Sequence, residues 1–82
     1  MSDDELLARI RIDPNLMTGK PVVAGTRLTV EHILRLLAHG ASVEDIKREY
    51  PGLTDADVSA CQLFAAQALS TTTFMPVYSE SA

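Results

Sequence analysis

The apolar positions of this 82-residue chain change rhythm along its length. Arg9-Ile10-Arg11-Ile12 alternates polar and apolar with period two, the mark of a strand with one covered face. Asp13-Pro14-Asn15 ends that run with turn residues. A second turn, Thr18-Gly19-Lys20-Pro21, leads into the short apolar run Val22-Val23-Ala24. Pro21 biases Lys20 to extended geometry, and Gly25 offers a bend that a residue with a Cβ resists. The two runs predict a short N-terminal β-hairpin or β-arm. A two-stranded hairpin is marginal alone, so it should lie on helices or pair across a dimer. Residues 1–8 read as an N-terminal arm with one helical turn at Asp4–Leu7.

From residue 29 the spacing becomes helical. Thr29 is an N-cap for a helix over Val30–Ala38, with Glu31 in the first turn, where the helix dipole favours an anion. Ile33, Leu34, Leu36 and Leu37 leave this helix little polar face, which makes it central to the core. Gly40 is its stop. A second helix starts at Ser42, with Asp45 three residues on as a short-armed capping-box partner, and buries Val43 and Ile46. Tyr50-Pro51-Gly52 ends it. A third starts at Thr54, with Asp57 at the same spacing, and runs to about Leu69. Val58, Cys61, Ala65 and Ala68 form one apolar stripe, and Ala60, Leu63, Phe64 and Gln67 another. Two helices joined by so short a link with a glycine are the pattern of a helix-turn-helix. The fold class is mainly α: a small three-helix domain over residues 9–69, followed by a tail over 70–82. In that tail Pro76 interrupts any helix, and Phe74, Met75, Val77 and Tyr78 form an apolar patch between Ser and Thr residues. Such a segment can order in a partner's groove or add a strand to it. It can equally pack on its own domain or a twin subunit.

Composition narrows the class. The chain is 46% hydrophobic with no Trp, two Phe and two Tyr, so its core is aliphatic. A domain of this size buries about 60% of its unfolded surface and gains by pairing with a second copy. A homodimer is expected. One cysteine, Cys61, precludes an internal disulfide and suits a reducing cytosol. The acidic start lacks a signal peptide's apolar stretch, and no run approaches the roughly 18 apolar residues of a membrane span. A cytoplasmic protein with no membrane contact is expected.

The net charge of −4 is unevenly spread. Residues 9–35 carry five cations against two acids, whereas residues 36–82 carry two cations against six acids. The cationic half suits phosphates, and the acidic half a basic partner. A merely solvated surface reads the same way. Arg9 and Arg11 fall on one strand face, where a dimer would present four guanidinium groups to a DNA groove as a β-ribbon. A charge-protected edge strand has the same pattern. Arg27 can bind a phosphate or a partner's carboxylate, or pin Asp13 or Glu31 locally, and Lys20 is similarly ambiguous. Arg35, Lys47 and Arg48 complete the cations offered to DNA.

Catalytic signals are weak. Gly19-Lys20 lacks the spacing of a phosphate-binding loop. His32 and His39 are two helical turns apart, too far to share a metal, and no ligand set completes them. Cys61 sits in an apolar stripe and reads as a core residue. Asp55 and Asp57 read as helix N-terminal charges rather than as general acid and base. Neither an enzyme nor a cofactor is expected.

The string Gly19-Lys20-Pro21-Val22-Val23-Ala24-Gly25-Thr26-Arg27, followed by Ser42-Val43-Glu44-Asp45-Ile46, Tyr50-Pro51 and Leu53-Thr54, resembles the domain of unknown function 433 family. The resemblance covers residues 9–68. It implies a winged or homeodomain-like helix-turn-helix and an antitoxin of a type II toxin–antitoxin pair, of the VapB kind. The implied partner is a small PIN-like ribonuclease, and the implied second activity is autorepression at operator DNA. One departure stands out. The end of the third helix that would enter the major groove reads Thr54-Asp55-Ala56-Asp57, and these acids oppose phosphates. These acids argue against base readout by that helix. The expected function is an antitoxin-like inhibitor and autorepressor, the alternative a protein–protein adaptor with no DNA activity.

Overall fold

The structure is a computed structural model that describes residues 1–70. In chain order it contains α1 (Asp3–Leu7), β1 (Ile10–Arg11), a 3₁₀ turn (Met17–Gly19), β2 (Val22–Val23), α2 (Val30–Ala38), α3 (Val43–Glu49) and α4 (Asp55–Ser70). The strands form an antiparallel pair with Ile10 opposite Val23 and Arg11 opposite Val22. The described domain is thus mainly helical, with four helices where the residue pattern gave three. The fourth is α1. Ser2 and Glu5 close a reciprocal cap around it, and its half-buried Leu6 and Leu7 face α4, against which the helix packs.

Each later helix starts where a side chain can take up orphan N–H groups. The Thr29 hydroxyl accepts from His32 N at 3.0 Å. Ser42 and Asp45 bond each other's backbone N–H at 3.0 and 2.9 Å. Thr54 and Asp57 do the same at 3.2 and 3.0 Å. The end of α2 follows from Gly40, whose φ of +98° lets its own N–H reach Leu37 O while Ala41 N reaches Leu36 O.

β2 is tied to α2 through a turn that Thr26 organises. The Thr26 hydroxyl donates to Val23 O at 2.8 Å and accepts from Leu28 N at 3.0 Å. With Gly25 at φ +81°, this turns the chain so that Val23 N reaches Leu28 O and Val30 N reaches Pro21 O. The Thr26 side chain therefore replaces missing backbone pairing. The preceding turn is less usual: Met17, Thr18 and Gly19 all have positive φ, at 51°, 55° and 81°. Two consecutive non-glycine residues in that region are held by Gly19 N donating to Leu16 O and Lys20 N to Met17 O.

The core joins all these pieces. Val23, Val30, Ile33, Ile46, Leu53, Val58 and Cys61 pack as one buried cluster. Leu53 enters it from the link between α3 and α4, residues 50–54, where Gly52 takes φ +108°. Burying a side chain such as Ile33 or Ile46 contributes about 1.5–3 kcal/mol. The long stripe expected on α4 is only half realised. Val58 and Cys61 are buried and so is Ala60, but Ala65 and Phe64 are half-buried and Gln67 and Ala68 lie at the surface. The cluster ends at Cys61, and the helix continues past it to Ser70.

Candidate functional site

The cations expected to meet DNA are largely engaged inside the domain. Arg9 leaves the hairpin to pair with Asp57 at 3.0 Å, with their side chains 34% and 12% exposed. Asp57 Oδ1 receives Arg9 while its Oδ2 caps Thr54 N, so one carboxylate ties the N-terminal strand region to the start of α4. Lys20 and Arg35 converge on Glu31 at 3.1 and 3.3 Å. Lys47 lies between Glu44 and Asp55 at 3.1 and 2.9 Å, and Arg48 approaches Asp45 at 3.4 Å. Arg11 and Arg27 are exposed and make no ion pair among the described residues. Neither local carboxylate takes Arg27: Glu31 is occupied, and Asp13 accepts from Asn15 N at 2.9 Å.

These contacts shift protonation in predictable directions. The Lys20 hydrogen bond and charge, then those of Arg35, hold the Glu31 carboxyl below its usual range. The Ser42 backbone and hydroxyl do the same for Asp45. Hydrogen bonds to Asp55 and Glu44 raise the Lys47 ammonium above its ordinary value. The Asp55 carboxylate at the head of α4 is thus already matched to a cation from α3.

The histidines are separate. His32 Nε2 lies 2.9 Å from Tyr50 Oη, and the two rings meet edge-on at 5.9 Å. His39 caps the end of α2 in an exposed position. Cys61 is buried, and its thiol is pushed up to about 11, first by burial and then by the charge of Asp57. A thiol so held is a poor nucleophile at neutral pH. Among the described residues no group of three His, Cys, Asp or Glu side chains is placed to hold a metal ion. Also among them, no helix is long and apolar enough to cross a membrane. Phe74, Met75, Val77 and Tyr78, expected to bind a partner, lie outside the described residues.

Residues 10–65 match the family described as "Protein of unknown function (DUF433)". The chain belongs to the DUF433 family. A solved structure with the same arrangement is the crystal structure of a DUF433 member protein from Anabaena variabilis ATCC 29413, determined at 2.00 Å resolution. The two superpose with a TM-score of 0.73 at 28% sequence identity, over 82% of this chain and 66% of that one. This chain therefore spans just under two thirds of its structural relative. No curated protein matches it.

Within this DUF433 domain, three features go beyond the expectations drawn from the residue pattern. Asp57 reads from spacing as a cap, but its second partner, Arg9, is 48 residues away. Thr26 carried a local signal, a hydroxyl just after a glycine bend, for which side chain–backbone bonding is common. The third is the apolar surface left where α4 runs beyond the core, which periodicity assigns to the interior.

Proposed function

We propose that this DUF433 domain is a non-catalytic, cytoplasmic protein-binding module of the antitoxin type, whose partner is a small PIN-like ribonuclease. The observation that carries this reading is the internal use of charge. Five of the seven cations, Arg9, Lys20, Arg35, Lys47 and Arg48, are held by the domain's own carboxylates. Little free positive charge remains to attract a polyanion, and Asp55 and Asp57 stand at the head of α4. A protein partner asks less of surface charge, since its contacts rest on apolar anchors. The apolar tail residues Phe74, Met75, Val77 and Tyr78 are the anchors we assign to that contact.

A second reading rests on one observation of its own. Arg11 and Arg27 are exposed and free of ion pairs among the described residues, at the hairpin and at the turn that follows it. In this reading the domain is a winged or homeodomain-like helix-turn-helix, with α3, the link 50–54 and α4 as the motif. It touches operator DNA through these two guanidinium groups on phosphates, not through base readout by α4.

The test uses the product of the gene adjoining this one, which this reading expects to be a PIN-like ribonuclease. Adding the full chain to that nuclease should abolish RNA cleavage at a one-to-one ratio, and Phe74→Ser with Tyr78→Ser should restore it. Undiminished cleavage in excess of the wild-type chain would refute the inhibitor reading.

A further inference from the structure

A groove between the 3₁₀ turn and α2 collects charge from two separate elements. Its volume is about 480 Å³, and Thr18, Lys20, Glu31, His32 and Arg35 are among its walls. Pockets for small ligands span about 300–1,000 Å³. Lys20 and Arg35 against Glu31 leave one positive charge here, in a chain whose net charge is −4. Glu31 sits between the two cations. Lys20 Nζ donates to its Oε1 at 3.1 Å, and Arg35 Nη2 and Nε donate to its Oε2 at 3.3 and 3.4 Å. The arrangement is a two-cation clamp on an oxyanion, with a side chain of the domain as its occupant. That occupant is loosely held. The Arg35 bonds exceed the length of a well-formed charge-assisted pair, about 2.7–2.9 Å. The Glu31 side chain is also 49% exposed and can swing into water. Neither cation has another ion-pair partner among the described residues.

The turn adds a second, independent sign. Met17 and Thr18 hold left-handed backbone, yet both are exposed, so core packing does not call for the strain. What the turn does place is Lys20, whose N–H closes on Met17 O at the wall of the groove. Backbone strain of this kind gathers at binding sites.

We propose that this groove binds the phosphate of a small phosphomonoester, whose oxygens replace the Glu31 carboxylate between Lys20 and Arg35. Charge selects the ligand. A monoanion trades one negative charge for another and gains nothing over Glu31, which is tethered in place. A phosphomonoester carries about −1.5 to −2 at neutral pH and matches both cations together. Its oxygens suit the guanidinium fork of Arg35 and the point charge of Lys20 at once. A phosphodiester brings a single charge and does not displace Glu31, so the site reads a terminal phosphate and not a nucleic-acid backbone. The inference goes beyond the nuclease reading and stands without it, because the groove shares no residue with the tail.

Backbone-amide NMR of the full chain, titrated at constant ionic strength, tests it. The probes are inorganic phosphate, ribose 5-phosphate and dimethyl phosphate. The first two should give saturable shifts at Thr18, Lys20, Glu31 and His32, and dimethyl phosphate should give none. Lys20→Ala and Arg35→Ala should each raise the Kd for ribose 5-phosphate about tenfold. Glu31→Gln removes the competing carboxylate and should lower it. Glu44→Gln, the same charge change on α3, and Arg48→Ala should leave it unchanged. All five side chains are exposed, so circular dichroism should match the wild type throughout. Shifts that never saturate, or an equal response to dimethyl phosphate, would overturn the inference. So would a groove that takes inorganic phosphate and refuses the ester, or a Glu31→Gln chain that binds more weakly.

Discussion

Asp57 concentrates the chemistry of this fold in one side chain. Its Oδ2 satisfies the backbone of Thr54 and its Oδ1 holds Arg9. The two bonds have unequal weight. Arg9 is one-third exposed and can return to water, so its ion pair is worth well under about 1 kcal/mol. The cap is made by a carboxylate only 12% exposed, and its loss costs about 1 kcal/mol, up to about 2. Asp57→Ala should therefore destabilise the domain by about 1–2 kcal/mol in urea unfolding, and Arg9→Ala by less than half as much. Equal losses would mean that the ion pair, not the cap, dominates. Half of this arrangement was legible. The spacing Thr54-x-x-Asp57 announces a cap, but no local pattern tells which of seven cations crosses the chain to meet it.

At the scale of elements, most of the fold could be read from punctuation. Thr29 and Gly40 bracket α2, Ser42 and Tyr50 bracket α3, and the structure puts helices between them at Val30–Ala38 and Val43–Glu49. Caps and stops act through adjacent backbone, so their signal stays local. The left-handed turn at Met17 and Thr18 was not legible, because neither residue favours that conformation and tertiary closure of the hairpin imposes it. An ion-pair cluster on α2 and the cap of α3 set the acid response. Glu31 and Asp45 hold their protons less tightly in the folded chain than in the unfolded one. Their stabilisation is complete above the unfolded pKa values near 4 and is lost as pH falls through the lower folded values. The melting temperature should accordingly hold steady down to about pH 5 and decline below it. Both groups are exposed, so salt should flatten the decline. A melting temperature that rises between pH 5 and pH 3 would contradict these contacts.

At the scale of the whole molecule, charge and apolar surface divide the labour. Ion pairs within and between elements neutralise most of the cationic front half that the sequence displays. Sequence shows where charges lie along the chain, and folding decides which of them remain available. The apolar excess of α4 was hidden for the converse reason: periodicity identifies an apolar face but not where the core beneath it ends. Family membership extends this architecture to a solved relative.

The salt dependence of binding to the DNA upstream of the gene bears most directly on whether the domain's cations are neutralised from within. Each phosphate contact contributes about −0.9 to the slope of log K against log salt. Arg11 and Arg27 alone predict a slope no steeper than about −2 per protomer, removed by Arg11→Ala with Arg27→Ala. A slope near about −6 would require all seven cations on phosphates and would contradict the account.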